Sequence, residues 1–270
     1  MKLRGPRIVS GPRPLLHLVP NMFTVMGLCA GLTAIRYALD GRYGLAVMLV
    51  IAAAIFDGLD GRAARLLRIT SRLGAELDSL ADFLSFGVAP AVIVYLWTLN
   101  SVRGIGWALA LLFATCCALR LARFNSELDE PNKPQWKQYF FTGIPAPAAG
   151  LLILTPIMAS FVVGEEFFNI WLLNAALVLF VAVMMVSTVP TYSAKKIKVA
   201  PQWVVPIMIA AGLLIGFLIT EPWLTLSILG LIYLAHIPIS VFVARRLRLA
   251  EEARQNRAEA AVELDQHRAK

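Results

Sequence analysis

Charge is scarce in this chain. Only 16% of its 270 residues are Asp, Glu, Lys or Arg, against 59% hydrophobic residues. An ordinary soluble domain carries about 25% charged residues, and with a mean hydropathy of +0.70 that class is excluded. Cysteine and histidine are also few. Cys29, Cys116 and Cys117 fall inside apolar runs, and His17, His236 and His267 are scattered. Neither set has disulfide or zinc spacing, so a disulfide scaffold and a zinc domain are excluded. No long polar linker interrupts the apolar stretches, which leaves a single polytopic membrane domain.

What is present is a series of eight apolar segments, approximately 20–38, 43–61, 78–98, 104–124, 145–163, 168–188, 203–219 and 223–243. Each is near the roughly 20 residues that a helix needs to cross hydrocarbon. The expected fold is therefore all-α, a membrane bundle of about eight transmembrane helices. A basic segment, 1–19, precedes the membrane domain at 20–243, and a charged tail, 244–270, follows it. Prolines break the helical continuity of 1–19. The apolar run after it continues for a full span and offers a poor processing site around Cys29, so an uncleaved first span is expected. The tail alternates charge as EEARQNRAEAAVELDQ and reads as a solvated helix without catalytic content.

The net charge of +8 is a topology signal and does not point to nucleic acid. Of the 25 lysines and arginines, 22 lie in the N-terminal segment, the 62–72 stretch, the 120–137 loop, the Lys195–Lys198 loop and the C-terminal tail. Arg36, Arg42 and Arg103 alone mark the opposite side. By the positive-inside rule both termini and these loops are cytosolic, in a protein of the cytoplasmic (inner) membrane.

Against this background the stretch FDGLDGRAARLLRITSRLGAELDSLADFLSFGVAP, 56–90, stands out. It sets Asp57, Asp60, Asp78 and Asp82 in or against apolar spans. Spacings of three and four put each pair on one helix face. An acid at the bilayer centre costs roughly 3 kcal/mol on insertion scales, so such residues mark function by default. Salt bridges to Arg62, Arg65, Arg68 and Arg72 would balance charge but would not explain two acidic pairs on adjoining helices. Oxygen-only ligands suit a hard divalent cation, Mg²⁺ or Mn²⁺, which shares its coordination with substrate phosphates. Two such ions would clamp a diphosphate.

The pattern D-x-x-D-G-x-x-A-R, then G-x-x-x-D-x-x-x-D, resembles the signature of the CDP-alcohol phosphotransferase family. Asp57, Asp60, Gly61, Ala64, Arg65, Gly74, Asp78 and Asp82 supply it in full. DFLSFGVAPA at 82–91, RLARFN at 120–125 and TGIPAPAA at 142–149 look like the branch of that family whose acceptor is serine. The resemblance runs from about Pro20 to about Val243. It implies displacement of CMP from CDP-diacylglycerol by the hydroxyl of L-serine, in a homodimeric membrane enzyme. It also implies that Asp57, Asp60 and Asp78, with Asp82 as the fourth acid, hold the ions, and that Asp82 accepts the hydroxyl proton. No H-x-K-x-x-x-x-D pattern occurs. The covalent route of the phospholipase-D-like synthases is therefore set aside in favour of in-line attack. Alternative acceptors within the family are glycerol 3-phosphate, inositol and inositol phosphate. A cation transporter would need acids at the midplane and internal repeats, and neither is found.

Several residues near the signature have two readings. Asn21 caps the first span, or with Thr24 belongs to the nucleotide site, as the resemblance implies for P-N-x-x-T. Gly61, Ala64 and Gly74 give room for a nucleotide, or pack helices. Arg65 contacts phosphate or sits among headgroups. Arg120, Arg123 and Asn125 close the fourth span as snorkelling anchors, or bind an acceptor carboxylate or lipid phosphate through a guanidinium fork. The 126–141 loop, with Trp136 and Tyr139, suits an interfacial lid or acceptor-access loop. Spans 5 to 8 hold few polar groups and are expected to complete the bundle or an oligomer interface, with His236 and Pro238 marking a kink.

Overall fold

A computed structural model describes residues 18–67, 72–128, 140–187, 190–192 and 201–237. The Lys195–Lys198 loop, most of the 126–141 loop, Arg68, Pro238, the charged tail and residues 1–17 lie outside the described residues. Ten helices follow in order: α1 (Leu18–Leu39), α2 (Tyr43–Leu67), α3 (Arg72–Asp82), α4 (Ala89–Trp97), α5 (Arg103–Leu128), α6 (Ala146–Val163), α7 (Glu165–Phe168), α8 (Trp171–Val186), α9 (Val204–Thr220) and α10 (Pro222–Ile237). Two three-residue strands, β1 (Phe140–Thr142) and β2 (Pro190–Tyr192), pair antiparallel with Phe141 opposite Thr191. This small pairing is the departure from a purely helical expectation.

Five helical stretches are long and apolar enough to cross a membrane: Val19–Leu39, Tyr43–Leu67, Leu73–Trp97, Leu99–Ser126 and Ala146–Val163. Trp171–Val186, Val204–Thr220 and Pro222–Ile237 are apolar but shorter. The molecule is a polytopic helical membrane protein.

Local chemistry explains the boundaries. α1 stops where Gly41 takes φ of 72°. Its N–H bonds to Ala38 O at 3.0 Å and the next N–H, of Arg42, to Tyr37 O at 2.9 Å. That paired closure satisfies the last carbonyls and needs a residue tolerant of positive φ. The reversed chain then lays α2 along α1. Their seam is built from small residues, Ala30, Ala34 and Ala38 facing Ala46, Val47, Val50 and Ala53, all buried. Small side chains let membrane helices approach closely, which gains dispersion where lipid offers no hydrophobic drive.

Two expectations change. α2 does not end near residue 61 but continues to Leu67, because Ala63, Ala64, Leu66 and Leu67 are strong helix formers. Asn21 is not a cap. α1 already begins at Leu18, which puts Pro20 and Asn21 inside its first turns, where a missing proline N–H leaves no intrahelical bond unmade.

Candidate metal and substrate site

The four acids meet at one end of the bundle. Asp57 and Asp60 lie one turn apart on α2, and Asp78 and Asp82 one turn apart on α3. A carboxylate oxygen from each of Asp57, Asp60 and Asp78 lies within 4.8 Å of the other two. Asp82 joins them in lining a cavity of about 10 Å³, walled also by Thr24, Gly27, Ala53, Ala81, Ser85 and Phe86. Two unit charges 4 Å apart interact by about 4 kcal/mol at an effective dielectric of 20. Three carboxylates this close inside a helix bundle therefore repel strongly unless a cation lies among them. A space of this size admits about one water-sized occupant. The donor set is oxygen only. Size and chemistry both fit a hard divalent ion.

The site is braced from α1. Thr24, buried, donates its hydroxyl to Asp60 Oδ2 at 2.8 Å, while Asp60 itself is only 6% exposed. A hydrogen bond of this kind orients a metal-binding carboxylate from behind. Beyond Asp82 the span does not continue as a regular α-helix. Residues Phe83–Val88 form a π-helical turn before α4 resumes, with the Ala89 N–H reaching back to Leu84 O. Such one-turn insertions rotate the residues beyond them and recur at functional sites. This one presents Ser85 to α1, where its hydroxyl donates to Gly27 O at 3.1 Å. A Cβ at Gly31 would stand 2.9 Å from Ser85 Cα, so the approach of α1 to the π turn requires glycine there. Neither the π turn nor Ser85 was legible as a site feature beforehand, although both lie inside the DFLSFG run.

The remaining candidates separate. Gly61 and Ala64 are half-buried on the last turns of α2, and Arg65 is exposed with its guanidinium 3.9 Å from where a Cβ at Gly61 would be. Gly74 is half-buried near the start of α3, and Asn21 half-buried three residues before Thr24. None of these residues lines the cavity. On α5, Arg120 is 9% exposed and its Nε has no hydrogen-bond partner among the described residues. Arg123 is exposed and donates to Val186 O at the end of α8, 3.3 Å away. Asn125 donates to Ser79 Oγ at 2.9 Å, tying α5 to α3. Of the three, Arg120 is the one buried within the bundle.

Four carboxylates gathered at the end of a bundle of apolar helices, one of them held by a threonine of α1, make an oxygen donor set that suits a hard cation in a membrane protein. Residues 17–186 match the family model described as CDP-alcohol phosphatidyltransferase, and 202–238 match that described as CDP-alcohol phosphatidyltransferase 2. The chain belongs to the CDP-alcohol phosphatidyltransferase family. It is 37% identical over 244 residues, 88% of this chain and 79% of the relative, to a Mycobacterium leprae protein named CDP-diacylglycerol–serine O-phosphatidyltransferase. A Helicobacter pylori protein of the same name is 35% identical over 225 residues, 82% of this chain and 90% of the relative. A third, from Bacillus subtilis, is 37% identical over 139 residues, 52% of this chain and 75% of the relative.

Proposed function

We propose that this chain transfers the phosphatidyl group of CDP-diacylglycerol to the hydroxyl of L-serine, giving phosphatidylserine and CMP. The observation that carries the reading is the gathering of Asp57, Asp60, Asp78 and Asp82 around one small cavity, in a chain whose relatives bear that name.

Asp57, Asp60 and Asp78 would hold a divalent ion, Mg²⁺ or Mn²⁺, with Asp82 beside them, and a second ion would be shared with the substrate diphosphate. Bound there, such ions neutralise the diphosphate and the charge developing on the departing CMP. Thr24 keeps Asp60 aimed at the cavity. Asn21, Gly61, Ala64, Arg65 and Gly74 form the surrounding surface for the cytidine nucleotide. Asp82 takes the proton of the serine hydroxyl as its oxygen bonds to the phosphorus that carries the diacylglycerol. The bond from that phosphorus to the bridging oxygen breaks, and CMP leaves with the oxygen. A positioned base is needed because an alcohol is a weak nucleophile until its proton is being removed. Arg120 supplies the fork that receives the acceptor carboxylate.

Residues 20–243 form the catalytic unit. All eight apolar helices span the membrane, with the acids at the cytosolic face of the inner membrane and both termini on that side. The support for this topology is the one-sided placement of lysine and arginine. Homodimerisation rests on the family resemblance.

The test is CMP release by the purified protein from CDP-diacylglycerol with one acceptor at a time: serine, glycerol 3-phosphate, inositol or inositol phosphate. Release is expected with serine, lost on chelation, restored by Mg²⁺ or Mn²⁺, and reduced about 10²–10⁴-fold in Asp82→Asn. Release with another alcohol alone would overturn the serine assignment and leave the site intact.

A further inference from the structure

The acids come from two helices, and both of these are tied to a third. On α1, Thr24 donates to Asp60 Oδ2 at 2.8 Å, which holds the α2 pair. Three residues on, the Gly27 carbonyl accepts the Ser85 hydroxyl at 3.1 Å, which holds the span carrying Asp78 and Asp82. Residues three apart share a helix face and stand about 4.5 Å apart along its axis. Thr24, Gly27 and Ser85 all line the acid cavity together with the four acids. Gly27 also lies against α2, since a Cβ there would stand 3.6 Å from Ala53 O and 3.7 Å from Phe56 Cβ. One turn of α1 thus touches both acid-bearing spans beside their acids.

The junction is tight on every side. A Cβ at Gly31 would meet Ser85 Oγ at 2.6 Å and Ser85 Cα at 2.9 Å. Elsewhere around the π turn, a Cβ at Gly150 of α6 would stand 2.8 Å from Phe86 O, and one at Gly87 3.0 Å from Cys117 Cβ of α5. Ser85 itself is only 2% exposed. Packing this close transmits displacement instead of absorbing it, so the separation of the two acidic pairs follows the separation of α1 from the π turn.

Divalent ions differ in the separation they need. Mg²⁺ demands near-ideal octahedral geometry at about 2.0–2.1 Å, whereas Ca²⁺ accepts a flexible shell at about 2.3–2.6 Å, so cavity size and rigidity decide between them. We infer that Ser85 is a positioning residue for the metal site. Its bond to Gly27 keeps the Asp78–Asp82 pair close to the Asp57–Asp60 pair, and the site thereby selects a small ion, Mg²⁺, over Ca²⁺. The inference rests on the divalent-ion reading above and adds the residue that sets the size of the ion.

The experiment uses the full chain in lipid nanodiscs and reads ion binding without turnover. Mn²⁺ binding is followed by electron paramagnetic resonance, with Mg²⁺ and Ca²⁺ as competitors. Ser85→Ala removes the hydroxyl, whereas Gly31→Ala keeps it and wedges α1 away from the π turn. Ser160→Ala is the control, a buried serine of α6 whose hydroxyl likewise donates to a backbone carbonyl, Ile157 O at 2.7 Å. Loss of a group that orients metal ligands corresponds to about 10–100-fold in affinity. Ser85→Ala should therefore weaken Mg²⁺ at least about tenfold and Ca²⁺ much less, moving the Ca²⁺ to Mg²⁺ preference about tenfold toward Ca²⁺. Gly31→Ala should move it the same way, and Ser160→Ala should match wild type. Where Gly31→Ala does not fold, the Ser85→Ala ratio decides the question by itself. An unchanged ratio in Ser85→Ala, including equal weakening of both ions, would overturn the inference. So would opposite shifts in Ser85→Ala and Gly31→Ala, or the same shift in Ser160→Ala. A wild type that binds no Mn²⁺ overturns the divalent-ion reading itself, before any variant is compared.

Discussion

α2 and α9 are both apolar helices, yet their surroundings differ completely. α2 buries Ala46, Val47, Val50, Ala53 and Asp60 against α1 and the acid-bearing span. α9 buries no residue, and Gly212 and Gly216 on it have nothing within 4 Å among the described residues. Apolarity is what a helix needs to enter lipid and says nothing about whether protein surrounds it, since lipid tails solvate leucine as well as other helices do. α1 and α2 carry Thr24, Asp57 and Asp60, and their buried alanines and valines let the two helices approach closely enough to hold these groups together.

Four substitutions sharpen this contrast. The largest effect is expected at the acids. Asp57→Asn removes one of the three converging carboxylates, and both CMP release and Mn²⁺ binding, followed by electron paramagnetic resonance, should fall to background. Thr24→Val leaves every acid in place and removes the 2.8 Å bond to Asp60, together with a local 3.2 Å contact with Pro20 O in the same helix. It should weaken Mn²⁺ binding about 10–100-fold, the usual cost of losing a group that orients a metal ligand. Unchanged Mn²⁺ affinity in Thr24→Val would show that the bond does not brace the site.

A smaller effect follows from overpacking. Gly150→Leu must displace the backbone of Phe86, and such crowding costs about 1–3 kcal/mol. The melting temperature in detergent should fall, with activity falling alongside because Phe86 lines the acid cavity. The smallest effect belongs to α9. Gly216→Leu adds a side chain to open space and should change stability by no more than about 0.5 kcal/mol, with CMP release unaltered. A marked loss in that variant would mean that α9 is covered in the assembled protein, and the contrast with α2 would collapse.

Much of the site could be read in advance because it is local. Spacings of three and four placed Asp57 with Asp60 and Asp78 with Asp82, and helix geometry alone makes each pair share a face. Arg123 and Asn125 show where such reading runs out. They sit in the same RLARFN run as Arg120, yet one reaches the end of α8 and the other Ser79. A helix places side chains every 100° or so, and which neighbour each one meets depends on the crossing of helices far apart in sequence.

By itself the sequence determined the membrane class, the approximate spans, the acidic pairs and the basic side of the protein, because hydropathy, spacing and charge act over one or two helical turns. Only the tertiary structure decided that Thr24 of α1 holds Asp60 and that the span breaks into a π turn after Asp82. It alone buried Arg120 while Arg123 and Asn125 became ties to other helices. Each of these is a distance between helices, set by how closely alanine and glycine seams let the backbones approach, and no period within one segment encodes it.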